Sequence, residues 1–258
     1  MTADGDIYDS RRLALGYAFH RPPVHPRVLA LVAKDLGLVR PVARALDIGC
    51  GAGLSTAALA PHARVAVGLE PAADMLTYRR QAAPLGHFVV ARAEAPPFGG
   101  GVFDLVTAAG SLNYVDLSRF LPEAARLLTR DGTLVVYDFS SGRRVADDPA
   151  LERWFAAFER RYPFPPGYAF DLGQLNDDRA GLRIASRRRF AVDLPLTAAA
   201  YLDYVLTESN VEQAIAGGAS PDEMREWCWA GLTPIFGTGT REVRFEGYVV
   251  YVTKTSVG

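Results

Sequence analysis

The sequence predicts a doubly wound α/β fold, and two observations lead to that prediction. From residue 43 onward, short apolar runs alternate with segments of helical spacing, which is typical of a parallel sheet covered by helices. Residues 46–54, LDIGCGAGL, then join an apolar run to a helical run through three glycines. This arrangement predicts a strand, a tight turn and a helix whose first backbone N–H groups face a ligand.

The first half of the chain contains the clearest alternation. Asp131-Gly132 is a turn signal before the last strand of this half. The apolar runs predict strands at residues 43–48, 65–69, 87–91, 103–108 and 133–138, and the segments between them predict helices at 55–60, 72–83 and 118–128.

The flanking segments have different patterns. Residues 1–42 contain a helical stretch at 28–36, preceded at 17–26 by an arm rich in Pro, His and aromatic residues, which is either a plain arm or a lid over a ligand. After residue 139 the alternation breaks, so we expect a mostly helical cap over about 140–215 within one domain spanning 1–258. Further expected elements are helices at 149–161, 198–217 (one or two) and 221–232, and strands at 182–194 and 241–253, with Gly247 marking a bulge.

The composition is that of an ordinary globular protein. The hydrophobic fraction is 49%, the charged fraction is 22% and the net charge is −1, so no overall field would attract nucleic acid or an anionic membrane. We expect a cytoplasmic protein, because the N-terminal residues do not resemble a signal peptide and no apolar run reaches the roughly 18–20 residues of a membrane span. Two cysteines and four histidines without paired spacing predict no metal site.

The glycine turn and Glu70 together indicate a nucleoside-type ligand. Glycine permits positive φ angles and allows a ligand to approach the backbone without a Cβ in the way. Glu70 ends the next apolar run, at 64–69, where a carboxylate can accept hydrogen bonds from both hydroxyls of a ribose. A dehydrogenase is disfavoured, because its motif is G-x-G-x-x-G whereas this turn has Gly49-x-Gly51-x-Gly53.

Five motifs occur in order over residues 43–139: LDIGCGAG, GLEPAADML, ARAEAPPF, FDLVTAAGSLNYVD and AARLLTRDGTLVVYDFS. This set resembles class I S-adenosylmethionine-dependent methyltransferases, in particular the small-molecule branch that includes trans-aconitate and ubiquinone-biosynthesis methyltransferases. The resemblance implies a seven-stranded Rossmann-like sheet, mostly parallel with an antiparallel C-terminal strand, plus a helical cap. It also implies S-adenosyl-L-methionine as cofactor and methyl transfer as activity.

The resemblance assigns roles around the cofactor. The three glycines would pass beneath its methionine part, and Asp47 would orient that end unless it is only a turn-stabilising carboxylate. Glu70 would bind the ribose, unless it is a mere surface acid, and Met75 would pack on adenine, unless it is simply core. The implied cofactor-binding set is Tyr17, Arg21, Asp47, Gly49, Gly51, Gly53, Glu70, Met75, Ala93, Glu94, Ala109, Gly110 and Ser111.

Two parts of that set need comment. Ala93 and Glu94 would contact adenine, but many relatives have Asp where this chain has Arg92, which leaves open whether Glu94 alone reads the exocyclic amine. Small residues end the fourth strand and would permit close approach of the sulfonium: Ala109, Gly110 and Ser111. The same stretch, AAGSLNY, lacks the Asn/Asp-Pro-Pro-Tyr tetrad of enzymes that methylate base or amide nitrogens.

The acceptor side is less defined. We expect a small-molecule acceptor, with a carboxylate or hydroxyl oxygen as first choice and carbon or nitrogen open. The Ala- and Arg-rich composition suggests a high-GC genome, with which a secondary metabolite as acceptor would fit. Candidate catalytic residues are His20, as general base or merely structural, with Asn113 and Tyr114, beside which Asp138 ends the fifth strand. Aromatic residues of the cap would wall the acceptor pocket or form the cap's own core: Trp154, Phe155, Phe158, Phe164, Tyr168 and Phe170.

The sequence leaves alternatives for the function of the chain. The chain could be a protein that binds S-adenosylmethionine without methylating, or a methyltransferase acting on RNA or protein. The run of arginines at 187–189 is expected on the solvated face of a strand rather than against nucleic acid. Neither the oligomeric state nor the identity of the acceptor follows from the sequence.

Overall fold

The computed structural model describes residues 10–164 and 171–255, and its centre is a mixed sheet of eight strands. In chain order the strands are β1 (Val42–Ile48), β2 (Ala63–Glu70), β3 (His87–Val90), β4 (Phe103–Ala109), β5 (Leu128–Phe139), β6 (Arg144–Val145), β7 (Leu182–Thr197) and β8 (Thr240–Lys254). Their order across the sheet is β3-β2-β1-β4-β5-β8-β6, and β7 also pairs with β8.

The strand directions confirm the predicted fold class. Strands β1 to β5 pair in parallel, and β8 runs antiparallel to β5, β6 and β7. The sheet has one strand more than the seven expected, because β6 adds a two-residue pairing to β8. Since the carboxyl ends of parallel strands meet at one edge, the residues after β1, β2, β4 and β5 converge there.

Helices cover both faces of the sheet. They are α1 (Arg11–Phe19), α2 (Val24–Asp35), α3 (Leu54–Leu59), α4 (Arg79–Ala82), α5 (Leu117–Leu127), α6 (Ala150–Arg161), α7 (Ala198–Val205), α8 (Ser209–Ala216) and α9 (Pro221–Phe236). Buried side chains of α2, α3 and α6 to α9 form one apolar core with the sheet, and those of α5 form a second core on the opposite face. The fold is therefore doubly wound, as the sequence predicted.

One predicted helix has a different form. The helix expected over residues 72–83 is a 3₁₀ segment, Ala73–Tyr78, followed by the four-residue α4. Side chains take carbonyls that a continuous α-helix would use: the Thr77 hydroxyl donates to the Asp74 carbonyl at 2.7 Å, and Arg79 donates to the Leu76 carbonyl at 2.9 Å. Such local bonds compete with the helical ladder and favour the tighter winding.

The expected bulge at Gly247 is also wrong. Pairing of β8 with β7 runs through Gly247 without a break, pairing with β5 stays in register up to Gly247, and the irregularity lies in β7 between Ile184 and Ser186. A Cβ at Gly247 would collide with the carbonyl oxygen of Asp138 and with the ring of Phe190, so this position needs glycine because two neighbours approach it closely.

The segment predicted as a cap is only partly helical. It contains α6 and α7, but between them β7 pairs with β8 along 15 registered positions as a strand of the central sheet. The helical pattern over 198–217 forms two helices, α7 and α8. Part of the expected cap therefore extends the sheet beyond β8.

Candidate functional site

The glycine turn lies at the carboxyl end of β1, and its three glycines have different reasons to be glycine. Gly49, Gly51 and Gly53 all have positive φ angles, of 63°, 53° and 98°. A Cβ at Gly49 would collide with Ser111, and one at Gly53 would lie 3.0 Å from the Phe88 ring. A Cβ at Gly51 would make only an ordinary contact. The protein's own packing thus fills the space beside two of the glycines, and Gly51 is the one whose backbone is open to a ligand.

Glu70 fixes the open part of this turn. Its carboxylate accepts the Gly51 N–H at 2.8 Å and the Ala72 N–H at 3.0 Å, and the residue is 8% exposed. Burial raises the pKa of Glu70, the two N–H donors lower it, and the nearby charge of Asp47 raises it. A carboxylate has about four acceptor positions, so two backbone donors leave capacity for ribose hydroxyls.

Asp47 lies inside the protein rather than at the surface of the turn. It is fully buried and accepts three hydroxyl hydrogen bonds, from Ser55 at 2.6 Å, Thr56 at 2.8 Å and Thr107 at 2.9 Å. Burial raises its pKa and the three hydroxyls oppose that effect. These bonds join the start of α3 to β1 and β4, so the geometry favours the turn-stabilising interpretation of Asp47 over ligand contact.

Met75 lies beside the turn, and Glu94 lies in the loop after β3. Met75 is 1% exposed, and its Cε lies 3.5 Å from where a Cβ of Gly51 would be. The Glu94 carboxylate accepts the backbone N–H of Asp116 at 3.0 Å and lies 3.5 Å from Arg92. Glu94 therefore joins the loop after β3 to the start of α5, while Ala93 beside it is buried.

The end of β4 supplies the small residues of the site. Ser111 donates to the Ile48 carbonyl at 2.7 Å, which ties the end of β4 to the end of β1. Ala109 is half-buried, and Gly110 has a φ of 62° and donates its N–H to the Tyr137 carbonyl at 2.9 Å. The ends of β1, β4 and β5 are thereby held together at one edge.

The arm is fastened on two sides. Phe19 packs edge-to-face on Tyr78, 5.6 Å between ring centroids, which places α1 against the 3₁₀ segment after β2. The Arg21 guanidinium lies 4.1 Å above the Tyr17 ring and donates to the Thr207 carbonyl at 2.9 Å. The arm therefore bridges the cofactor-side loop and the loop between α7 and α8.

Buried polar side chains complete this second attachment. Glu208 is 7% exposed, lies 3.4 Å from Arg21 and accepts the Ser141 hydroxyl at 3.2 Å. The Arg21 guanidinium also lies 5.4 Å from the ring centroid of Tyr204. We call Tyr17, Arg21, Tyr204, Thr207 and Glu208 the arm latch. Tyr17 and Arg21 thus bind the chain itself here, next to the end of β5.

The two arm histidines differ sharply. His25 Nδ1 lies 2.9 Å from the Tyr137 hydroxyl, and its ring packs edge-to-face on Phe139. Burial, together with the charge of Arg21, lowers the pKa of His25 to about 4. His20 is half-buried at the C-terminal cap of α1. The sequence makes His25, like His20, a candidate of the arm for contact with an acceptor, and the structure packs it against Tyr137 and Phe139 at the edge of the sheet.

The predicted acceptor-facing residues are less enclosed. Asn113 is half-buried and Tyr114 is 46% exposed, both in a 3₁₀ turn after β4. Among the cap aromatics, Trp154 and Phe158 stack with 5.4 Å between centroids in the core around α6 and α9. Phe155 is buried and Phe164 packs at the edge of the same core, whereas Tyr168 and Phe170 lie outside the described residues.

The structure brings together most of the predicted cofactor set. The glycines, Glu70, Met75 and Ser111 converge at the carboxyl ends of β1, β2 and β4. Residues missed from the sequence are those of the latch after residue 200 and Ser141, which have no local motif and are recognised only through contacts with the arm. Within 10–164 and 171–255 no group of three or more His, Cys, Asp or Glu side chains could hold a metal ion, and no helix there is long and apolar enough to cross a membrane.

Comparison with known proteins agrees with this geometry. Residues 46–136 match a family model described as a methyltransferase domain. Demethylmenaquinone methyltransferase of Thermus thermophilus is 41% identical over 115 residues, 42% of this chain and 52% of that protein. Trans-aconitate 2-methyltransferase of Azoarcus sp. is 37% identical over 118 residues, 42% of this chain and 45% of that protein. The chain thus spans about half the length of the curated relatives it matches.

A structural comparison extends over nearly the whole chain. The solved structure of a proposed type II methyltransferase from Anaeromyxobacter dehalogenans superposes with a TM-score of 0.66 at 20% identity, covering 91% of this chain and 97% of that one. The two proteins share a fold. The resemblance inferred from the five motifs is confirmed for the segment from β1 to β5.

Proposed function

We propose that this protein transfers a methyl group from S-adenosylmethionine to a small-molecule acceptor. The observation that carries the proposal is the pairing of Gly51 with Glu70 at the end of β1, inside the segment that matches a methyltransferase domain. There a backbone without a Cβ and a buried carboxylate with remaining acceptor capacity lie side by side, which suits the ribose of a nucleoside.

The residues present fit the cofactor. Gly51 offers an open backbone and Glu70 offers acceptors for the ribose hydroxyls, whereas Met75, which is 1% exposed, fits its alternative role as a core residue. Ala109, Gly110 and Ser111 leave room at the end of β4. When bound, S-adenosylmethionine supplies an electrophilic methyl group on a sulfonium, and the task of the chain is to align an acceptor with it and exclude water.

The acceptor would lie above the ends of β4 and β5, bordered by Asn113, Tyr114 and the arm. The matched relatives carry names that refer to a quinone and to trans-aconitate, so both phenolic and carboxylate acceptors are reasonable probes. An oxygen acceptor stays our first choice, with carbon or nitrogen as alternatives. His20 as a base, a cytoplasmic location and the lack of a nucleic-acid partner stay predictions.

Two measurements test the proposal. Calorimetric titration should show binding of S-adenosylmethionine and of S-adenosylhomocysteine. Incubation with S-adenosylmethionine and a panel that includes 1,4-naphthalenediol and trans-aconitate should then yield S-adenosylhomocysteine and a methylated product. Binding without turnover across the panel would favour a non-catalytic role for the binding site, whereas salt-sensitive binding of RNA would favour a nucleic-acid substrate.

A further inference from the structure

Asp138 lies at the sheet edge where the proposed acceptor would bind. It is the penultimate residue of β5, at the carboxyl edge of the sheet. A Cβ on Gly110, at the end of β4, would lie 3.0 Å from Asp138 Oδ1, so the carboxylate rests directly against the backbone of that glycine. The positive φ of 62° at Gly110 and its N–H bond to the Tyr137 carbonyl hold the two strand ends in this position.

Most of the hydrogen-bond acceptor positions of the Asp138 carboxylate are not used by the described residues. Within 10–164 and 171–255, the hydrogen bond found at its carboxylate comes from the adjacent Phe139 N–H, at 2.8 Å. The residue is half-buried, so a ligand can still reach it. A carboxylate that is largely withdrawn from water and accepts one local N–H is a stronger base than one in solution.

The other buried acids at this edge are engaged by the protein. Asp47 accepts three hydroxyls, and Glu70 accepts two backbone N–H groups. Glu94 accepts the N–H at the start of α5, and Glu208 accepts from the arm latch and Ser141. Of these acids, Asp138 has the fewest hydrogen bonds and ion pairs with the described residues.

The electrostatic surroundings of Asp138 are simple. Burial raises its pKa and the Phe139 N–H lowers it. Facing it across the pair with β8 is Tyr248, whose pKa is raised to about 12 by burial and by the charge of Asp138. Its neighbour on β5, Tyr137, has its pKa raised by burial and by the charges of Asp47 and Asp138. Both phenols stay neutral at physiological pH, so neither adds a charge beside the carboxylate.

We propose that Asp138 accepts the proton that the methyl acceptor loses, and that the acceptor is therefore a hydroxyl or an acidic C–H group rather than a carboxylate. This inference rests on the proposed methyl transfer. In the step, the acceptor's electron pair forms the new bond to the methyl carbon, and the pair of the breaking carbon–sulfur bond stays on sulfur. The acceptor's proton passes to an Asp138 oxygen and afterwards to water. A carboxylate acceptor would need no such base.

The first test uses no acceptor. Carbon-13 NMR of labelled aspartate carboxyls follows the titration of Asp138, with its resonance identified by its loss in Asp138→Asn. If Asp138 lies at the reacting centre, its pKa is lower in the complex with S-adenosylmethionine than in the complex with S-adenosylhomocysteine, because only the former carries the sulfonium charge. Equal pKa values in the two complexes would overturn the inference.

A binding comparison checks the same contact from the ligand's side. Asp138→Asn should weaken S-adenosylmethionine by about fivefold relative to S-adenosylhomocysteine, since it removes a negative charge beside the sulfonium. Asp131→Asn, the same change at an exposed position of β5, should leave the ratio of affinities unchanged. If Asp138→Asn binds both ligands with an unchanged ratio of affinities, the inference is overturned and the proposed function stays intact. If the wild-type protein binds neither ligand, the proposed function itself is removed.

The base role has its own readout. With 1,4-naphthalenediol as hydroxyl probe, Asp138→Asn should lower the rate by about 10²- to 10⁴-fold, the usual contribution of a general base. Affinity for S-adenosylhomocysteine should stay near that of the wild-type protein, which shows that the variant is folded. An undiminished rate in Asp138→Asn would overturn the assignment, and so would efficient methylation of trans-aconitate with none of the hydroxyl probe.

Discussion

The glycine turn and the arm latch lie at the same edge of the sheet, yet they are built in opposite ways. Several contacts in the turn join residues close in the chain, such as Gly51 to Glu70 across 19 positions and Asp47 to Ser55 across 8, and the contact of Asp47 with Thr107 spans 60. In the latch, Arg21 bonds the Thr207 carbonyl across 186 positions. The turn is a local structure that one motif can specify, whereas the latch exists only after the C-terminal half of the chain has folded.

The two regions also differ in how they use space and charge. The turn is braced by neutral hydroxyl and backbone N–H donors around buried carboxylates, and one of its glycines is left open. The latch holds a guanidinium near two aromatic rings and a buried glutamate. We infer that the turn is prepared to receive a ligand, while the latch holds the arm in place over the acceptor side.

The largest expected effect separates two glycines of the turn. Gly49→Ala puts a Cβ against Ser111 at a positive φ, so we expect a loss of about 3 kcal/mol or more in the free energy of unfolding. Gly51→Ala has the same conformational strain without the collision and should lose about 1 kcal/mol. Urea denaturation of both variants measures the difference. Equal losses would show that Ser111 does not confine Gly49.

The next effect concerns His25 beside the latch. Its pKa is lowered from 6.5 to about 4, so between these values the unfolded chain binds a proton that the folded protein does not. Stability should therefore fall as pH decreases from 6.5 towards 4, by at most about 3 kcal/mol from this group.

His25→Asn removes this titration and keeps a polar partner for Tyr137. The free energy of unfolding should then depend less on pH than in the wild-type protein over the same interval, with His62 and the buried acids contributing equally to both. Identical pH dependence in the two proteins would contradict the buried, neutral state of His25.

A smaller effect compares Arg21 of the arm with Arg12 of α1. Arg21→Lys keeps the charge but loses the planar stack on Tyr17 and the forked donors to Thr207 and Glu208, so we expect about 1–2 kcal/mol of destabilisation. Arg12→Lys, at the more exposed ion pair with Glu212, should change stability by less than about 1 kcal/mol. Thermal unfolding of both variants tests the comparison, which fails if Arg12→Lys is the more damaging change.

Sequence patterns predicted the local parts of this molecule well. Strands β1 to β4 lie where apolar runs predicted them, since alternation of apolar segments depends on near neighbours, whereas β5 begins at Leu128 and includes the expected turn at Asp131-Gly132. The 3₁₀ segment before α4 was not predicted, because it depends on side chains that take carbonyls from the helical ladder. The bulge at Gly247 was a wrong expectation, since the collision that requires glycine there involves Asp138 and Phe190 on two other strands.

In the site, too, local features were predicted and long-range contacts were not. Gly51 and Glu70 were predicted because a motif marks the turn and the strand end. Asp47 was expected either to orient a ligand or to stabilise the turn, and its three hydroxyl partners favour the second role; two of them, Ser55 and Thr56, stand in the sequence directly after the turn. The contacts of Arg21 with Glu208 and Thr207 could not be predicted, since no local sequence pattern indicates a contact across almost 190 positions.

Calorimetric titration with S-adenosylmethionine tests most directly the central claim that the turn of Gly51 and Glu70 holds the cofactor. The wild-type protein should bind, and Glu70→Ala should bind at least about tenfold more weakly, because the ribose acceptors and the anchor of the turn are both lost. Glu226→Ala, on α9, should bind like the wild-type protein, and a melting curve should confirm that Glu70→Ala is folded at the titration temperature. An unchanged affinity in Glu70→Ala would contradict the account.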